Sequence, residues 1–470
     1  MIAQRARFDL VVRDGMVAVG DATVRIDLGI RDGCVRAIAE RLEDATQIVD
    51  AQGRLVLPGG VDAHCHLDQP NYGAACADDF RSGTLSAACG GTTTIVPFAM
   101  AHASDPLAET VAAYRLKAEG QALIDYAIHP TIQAASAQML ERDLPDLIRG
   151  GYASLKIFTT YDDFRLGDPE ILAILKVAAV HGALVMVHAE NDAIIAMLKQ
   201  DLLGRGLVAP RFHAKARPPI AESEAIHRIA SFAELTGAEV LIVHVSSRVG
   251  LEEVTRARAR GVSIHAETCP QYLLLTEADL DRDGLEGAKF MCSPPLRTVD
   301  DQEALWAGMA QGSVAIYSSD HSPYRLAGPD GKLRHGPQSR FDQIANGLPG
   351  LELRQPLLFS EGYLKGRISL AQFIALSSTN AAERHGIAPQ KGSIAIGGDG
   401  DLVIWDQERE TTVTRDLLHD NTDHTPYEGM RVRGWPVTTI ARGEVIVDDG
   451  RVLGVAGRGR FVPSKARTAS

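Results

Sequence analysis

Residues 61–68, Val-Asp-Ala-His-Cys-His-Leu-Asp, place two imidazoles two positions apart, just after the apolar run Arg-Leu-Val-Leu-Pro-Gly-Gly at 54–60. In a strand, residues i and i+2 face the same side, so His64 and His66 can grip one ion at a strand end. Imidazole is the commonest metal-ligating side chain. Cys65 has the opposite parity and points away from that ion. Taken alone, the same three residues also describe two ordinary histidines beside a turn. The chemistry therefore depends on whether the chain supplies further ligands, and on what would bring them together.

The stretch 57–385 has the rhythm of such a scaffold. Apolar runs at 92–97, 155–158, 183–188, 239–245 and 314–318 alternate with helical stretches such as 168–181, 223–236 and 251–260. Strand-helix repetition predicts parallel β/α units, and the length suffices for an eightfold barrel with insertions. Around it, residues 8–56 read as short β-type runs (8–12, 23–30, 34–38, 47–50) broken by Asp-Gly at 14–15 and 32–33, a hairpin signal. The same texture returns at 401–405, 437–441 and 444–447, with Asp-Gly at 449–450. The expected fold is α/β: a (β/α)8 TIM-like barrel over 57–385, with a β-sandwich built from the N- and C-terminal segments 1–56 and 386–455. A polar tail, 456–470, follows and is expected to be loosely held.

On such a barrel, site residues end several strands on one face. Lys156, His188, His244 and Asp320 each end or follow an apolar run. Lys156 lies 92 residues after His64 and His188 another 32 on, matching three units and one unit of about 31 residues. His244 and Asp320 follow at 56 and 76, which assigns the set to strands one, four, five, six and eight. A lone strand-end histidine is usually a satisfied core residue, and Asp-His at 320–321 also suits a turn or cap. Lys156, inside Ser-Leu-Lys-Ile-Phe, is harder to explain, because an unpaired ammonium in apolar surroundings is costly and cannot ligate a metal. Reaction of its amine with carbon dioxide answers both problems, since a carbamate has two oxygens that could bridge two cations.

These residues sit within longer motifs: Pro-Gly-Gly-Val-Asp-Ala-His-Cys-His-Leu-Asp from 58, Gly-Gly-Thr-Thr-Thr from 90, Ala-Glu-Thr-Cys-Pro-Gln-Tyr-Leu from 266, Cys-Ser-Pro-Pro-Leu-Arg from 292, Ser-Asp-His-Ser-Pro-Tyr from 319 and Asn-Gly-Leu-Pro-Gly from 346. With them the chain resembles, nearly end to end, the cyclic amidohydrolases, most closely D-hydantoinases and dihydropyrimidinases. The resemblance implies two divalent metals, usually zinc. His64, His66 and Asp320 would hold one and His188 and His244 the other, with Lys156 as N6-carboxylysine and a hydroxide bridging them. It implies hydrolysis of the amide bond of a cyclic ureide, of hydantoin or 5,6-dihydropyrimidine type, to an N-carbamoyl amino acid. Asp320 would act as general base and acid, Tyr161 would hydrogen-bond the oxyanion, and Ser293 and Asn346 would hold the ring amide. A homotetramer is also implied.

Bulk properties fit a small-molecule enzyme. A net charge of −12 argues against nucleic-acid or anionic-membrane partners. The N-terminus has no apolar h-region and no stretch reaches a membrane span. Six scattered cysteines read as reduced thiols of a cytoplasmic protein. Dihydroorotase is disfavoured because position 68 is Asp and not Arg; an allantoinase-like or other cyclic amidase is closer, although Cys269-Pro-Gln-Tyr272 departs from the Cys-Pro-His-Tyr pattern. A non-catalytic scaffold relative would lack the ligands present here. The loops 69–76, 159–164 and 327–335 depart from a typical hydantoinase, and loops at this face set specificity, so the substituent on the ring is open.

Overall fold

A computed structural model of the chain describes residues 7–69, 74–100 and 104–467; four residues of the 69–76 loop, 70–73, lie outside them. Eight parallel strands form the middle: β1 (Gly60–Cys65), β2 (Thr92–Ala99), β3 (Asp125–Tyr126, resuming at His129–Pro130), β4 (Ser154–Phe158), β5 (Leu184–His188), β6 (Glu239–Ile242), β7 (Ile264–Thr268) and β8 (Val314–Tyr317). β1 to β3 pair in order, as do β4 to β8. Parallel bridges from Thr131 to Lys156 and from Cys65 to His321 close the ring. β3 and β7, which sequence spacing implied without locating, complete the eight.

Side-chain alternation decides what faces the axis. In β5, Leu184 and Met186 pack in the inner cluster and Val185 and Val187 in the outer one, so His188 inherits the inward direction. In β4 the inner positions include Lys156 and Phe158, while Leu155 and Ile157 face the helices. β1 departs from simple alternation. Val61 and Ala63 face inward, then a register irregularity between Asp62 and Cys65 resets the parity. His64 and His66 thereby face the cavity and Cys65 joins the outer core; re-aiming a side chain is a common use of a bulge.

The helices follow from local chemistry. That over Asp168–His181 begins with Pro169 in its first turn and with Glu170 accepting from Gly167 N at 2.8 Å. It buries Ile171, Ile174, Leu175 and Ala178, a 3.6-residue stripe, and ends at Gly182 in the left-handed region (φ 68°). No helix among the described residues is long and apolar enough to cross a membrane.

Strands from both termini form a nine-stranded sheet joined where Leu55–Pro58 runs antiparallel to the start of Leu402–Thr412. This sandwich domain has its own core, including Leu10, Val12, Leu28, Ile30, Leu402 and Ile440. Buried Lys391 ties it to the barrel through Asp125 of β3 at 2.6 Å and Asp399 and Asp401 at 2.8 Å.

Two expectations are corrected. Asp14-Gly15 is not a hairpin: the first strand runs unbroken over Phe8–Val19, with an irregularity between Val12 and Gly15 and Asp14 at φ 60°. A Cβ on Gly15 would lie 2.6 Å from Val56 Cγ2, so the glycine permits close strand approach. Nor are residues 456–467 loosely held. They form a strap across the N-terminal ends of the barrel strands, pairing with Tyr126, Gly151, Gly386 and Gly182 through backbone hydrogen bonds of 2.7–3.0 Å. Arg467 pairs with Glu239 at the start of β6.

Candidate active site

A cavity of about 320 Å³ opens at the C-terminal ends of the strands, and His64, His66, Lys156, Tyr161, His188, His244, Ser293, Asp320 and Asn346 all line it. Tyr161, His244 and Asp320 have φ of 75°, 44° and 47°. A bulky residue in the left-handed region is strained and persists only where its surroundings over-determine it, which is common at functional sites.

Hydrogen-bond accounting places the protons. His64 Nδ1 lies 2.6 Å from Glu267 Oε1, an acceptor, so Nδ1 carries the proton and Nε2 keeps its lone pair. Gln69 donates Nε2–H to the Phe98 carbonyl (3.1 Å), which turns its oxygen to His66 Nδ1 at 3.0 Å. His66 Nε2 is therefore also a lone pair. Both Nε2 atoms face Asp320 Oδ1, at 3.1 and 3.3 Å. Two imidazole lone pairs against a carboxylate oxygen are a repulsive arrangement unless a positive charge lies among them, a metal ion or, in its absence, a proton. The types of these donors match a divalent metal site.

The second pair of histidines continues the cluster. His188 donates Nε2–H to Glu190 Oε2 at 2.7 Å and so leaves Nδ1 as a lone pair. Its ring centroid lies 4.5 Å from that of His244, which is 5.4 Å from His64. His244 Nδ1 is buried without a hydrogen-bond partner among the described residues, a costly state that a metal would relieve.

Without a metal, a proton fills that place. Burial opposes protonation of His64, but Glu267 and Asp320 outweigh it and push its pKa up to about 9, so a divalent cation bound here would displace a proton from Nε2. Burial pushes His66, His188 and His244 down. For Asp320 the burial penalty is outweighed by His64 and His66, which hold the carboxyl well below its usual range. Burial brings the Lys156 amine down to about 8 against the pull of Glu267 and Asp320. Its Nζ lies 5.0 and 4.9 Å from the ring centroids of Phe98 and Phe158.

Around this cluster stand residues that the sequence did not single out. Glu267, at the end of β7, also accepts from Ser318 Oγ (3.1 Å) and His244 N (3.4 Å). Asp320 is framed by its neighbours: Ser319 N and Oγ donate to Asp62, and His321 pairs with Asp78 at 3.1 Å. Lys332 donates to the carbonyls of Met291 and Gly347 at 3.0 and 2.9 Å, fixing the loops that carry Ser293 and Asn346. Asn346 Oδ1 is buried without a partner among the described residues. Glu267 lies within the motif from 266, and Asp78 within Ala-Asp-Asp-Phe-Arg-Ser-Gly-Thr from 77, which also fits the resemblance, but neither motif assigns the residue a role; Lys332 lies in the 327–335 loop.

A parallel barrel with converging imidazole and carboxylate donors defines a class, the metal-dependent barrel hydrolases. Residues 55–446 match the model of the Amidohydrolase family. D-hydantoinase of Ralstonia pickettii is 40% identical over 457 residues, covering 97% of this chain and 98% of that protein. D-phenylhydantoinase of Escherichia coli O1:K1 / APEC is 40% identical over 460 residues, with 97% and 98% covered. The crystal structure of dihydropyrimidinase from Brevibacillus agri NCHU1002 is similar with a TM-score of 0.94 at 38% identity, over 97% of this chain and 99% of that one. The chain belongs to the amidohydrolase family, in the branch of the D-hydantoinases and dihydropyrimidinases.

Proposed function

We propose that the protein opens the ring of a cyclic ureide, of hydantoin or 5,6-dihydropyrimidine type, by hydrolysing a ring amide to an N-carbamoyl amino acid. The observation that carries this reading is the convergence of His64 Nε2, His66 Nε2 and Asp320 Oδ1, beside His188 and His244, in the cavity that Tyr161, Ser293 and Asn346 also line. His64, His66 and Asp320 would hold one divalent cation, most simply zinc, and His188 and His244 a second. Such a pair supplies Lewis acidity and a water acidified toward neutrality.

The chain's own groups do the rest. Lys156, with its amine brought down to about 8, has a sizeable unprotonated fraction near neutrality. That nitrogen attacks carbon dioxide, a C–N bond forms, a proton leaves, and an anionic N6-carboxylysine replaces an ammonium that the apolar strand disfavours. Asn346 Oδ1 accepts from a ring N–H, and Ser293 holds the other side of the amide. As the carbonyl becomes tetrahedral, Tyr161 donates its hydroxyl hydrogen to the oxyanion. Asp320 takes the proton of the attacking water and delivers it to the leaving ring nitrogen. This reading has the working enzyme in the cytoplasm as a homotetramer; its six cysteines are all free, as a reducing compartment requires.

The test is a panel of hydantoin, 5-substituted hydantoins, dihydrouracil, dihydrothymine, allantoin and dihydroorotate, with bicarbonate and added zinc, manganese or cobalt. Opening of a hydantoin or dihydropyrimidine ring to its N-carbamoyl product supports the reading. Turnover confined to allantoin or dihydroorotate, or none with any metal, overturns it.

A further inference from the structure

We infer that Arg217 is a positioning residue that ties the oxyanion donor Tyr161 to the ligand His188 through Glu190. The inference rests on the role given to Tyr161 above. Arg217 comes from the Arg-Pro-Pro-Ile segment inserted between β5 and β6, and it is not among the residues lining the cavity. Its guanidinium nevertheless reaches Tyr161 of that lining and Glu190 behind it. The guanidinium carbon lies 5.0 Å from the centroid of the Tyr161 ring, within the range of a cation–π contact. One nitrogen pairs with Glu190 Oε2, the oxygen that accepts from His188 Nε2. The rings of Tyr161 and His188 are 5.2 Å apart, so the four side chains close a loop.

The support behind Arg217 is rigid. Pro218 and Pro219 follow it and open the helix Pro219–Thr236, which limits the backbone at Arg217. Its carbonyl accepts from Arg297 Nη1, and Arg297 is held by Ser246 Oγ at 3.0 Å. Arg217 and Glu190 are both buried, so the pair is neutral overall and shielded from solvent. Tyr161 needs such support because its backbone is left-handed at φ 75° and its loop, 159–164, lies beyond the end of β4. A buried cation beneath the ring also favours the charge that builds on the phenol oxygen as it donates to an oxyanion. Arginine suits both contacts, since its planar fork can bind a carboxylate while its face covers a ring.

The test is a double-mutant cycle between Tyr161→Phe and the neutral pair replacement Glu190→Gln with Arg217→Met. The glutamine side chain retains an acceptor for His188, and no buried charge is left alone. In the wild-type background Tyr161→Phe should lower kcat by about 10²–10³-fold. In the pair-replaced background it should cost under about tenfold, because non-additivity marks residues acting as a unit. The pair replacement itself should lower kcat at least about tenfold with KM within about threefold when measured at saturating zinc, where bound zinc and circular dichroism match wild type. Equal Tyr161→Phe losses in both backgrounds would overturn the inference. If Tyr161→Phe is silent in the wild type, the oxyanion role falls, and this inference with it; ring opening on the substrate panel then still stands or falls separately. Should the pair replacement not fold, the same cycle on Arg217→Lys, which keeps the charge but loses the planar face, decides between the same two outcomes.

Discussion

At the residue scale, proton placement says more than proximity. Glu267 and Gln69 fix which nitrogen of His64 and His66 is bare, and this turns a cluster of polar side chains into a donor set for a cation. Orienting carboxylates of this kind typically account for about 10–100-fold in metal affinity. Glu267→Gln should therefore weaken zinc binding by about that factor in a chelator competition, with the fold intact. Asp320→Asn keeps an oxygen ligand but cannot carry the proton, so kcat should drop about 10²–10⁴-fold while substrate still binds; kcat and KM at saturating metal would show this. The four histidines that line the cavity were legible in the sequence because their type and strand-end position coincide. The roles of Glu190, Asp78 and Arg217 were not, because each is set by a partner distant in sequence or by a buried contact that no local pattern encodes.

At the scale of elements, the sequence made the strands and helices with strong periodicity visible. The helix Asp168–His181 was read at its observed limits, and β4, β5 and β8 to within a residue or so. The failures have physical causes. Asp-Gly supplies backbone freedom, which a bulge uses as readily as a hairpin does, and only Val56 packed against Gly15 shows which. The 456–467 strap is polar in composition, but its binding runs through main-chain groups, which composition does not report. The strap lies at the barrel end opposite the cavity. Ending the chain after Gly457 should lower the thermal midpoint by roughly 5 °C or more through lost backbone hydrogen bonds. The kcat of the folded fraction should be unchanged. Calorimetry with parallel rate measurements checks both parts.

At the scale of the whole molecule, buried ionisable groups set how the fold responds to acid. His385 sits beneath the barrel with its ring 4.9 Å from His129 and neither nitrogen hydrogen-bonded among the described residues. Burial, reinforced by Arg467, brings its pKa down from 6.5 to about 3. Between those values the unfolded chain binds a proton that the folded chain does not, so stability rises with pH across the window and is lost on acidification. His385→Phe removes that term. Its thermal midpoint should fall less steeply than that of wild type between pH values of about 6.5 and 4, as read from melts across that range.

If the barrel mouth is a metal-dependent site for opening a cyclic ureide, hydantoin or dihydrouracil hydrolysis should return as zinc is added back to chelator-treated protein in bicarbonate. Turnover should be negligible without metal and rise to a plateau near two equivalents per chain. Full turnover in the metal-free protein, or none at any zinc level, would contradict that reading.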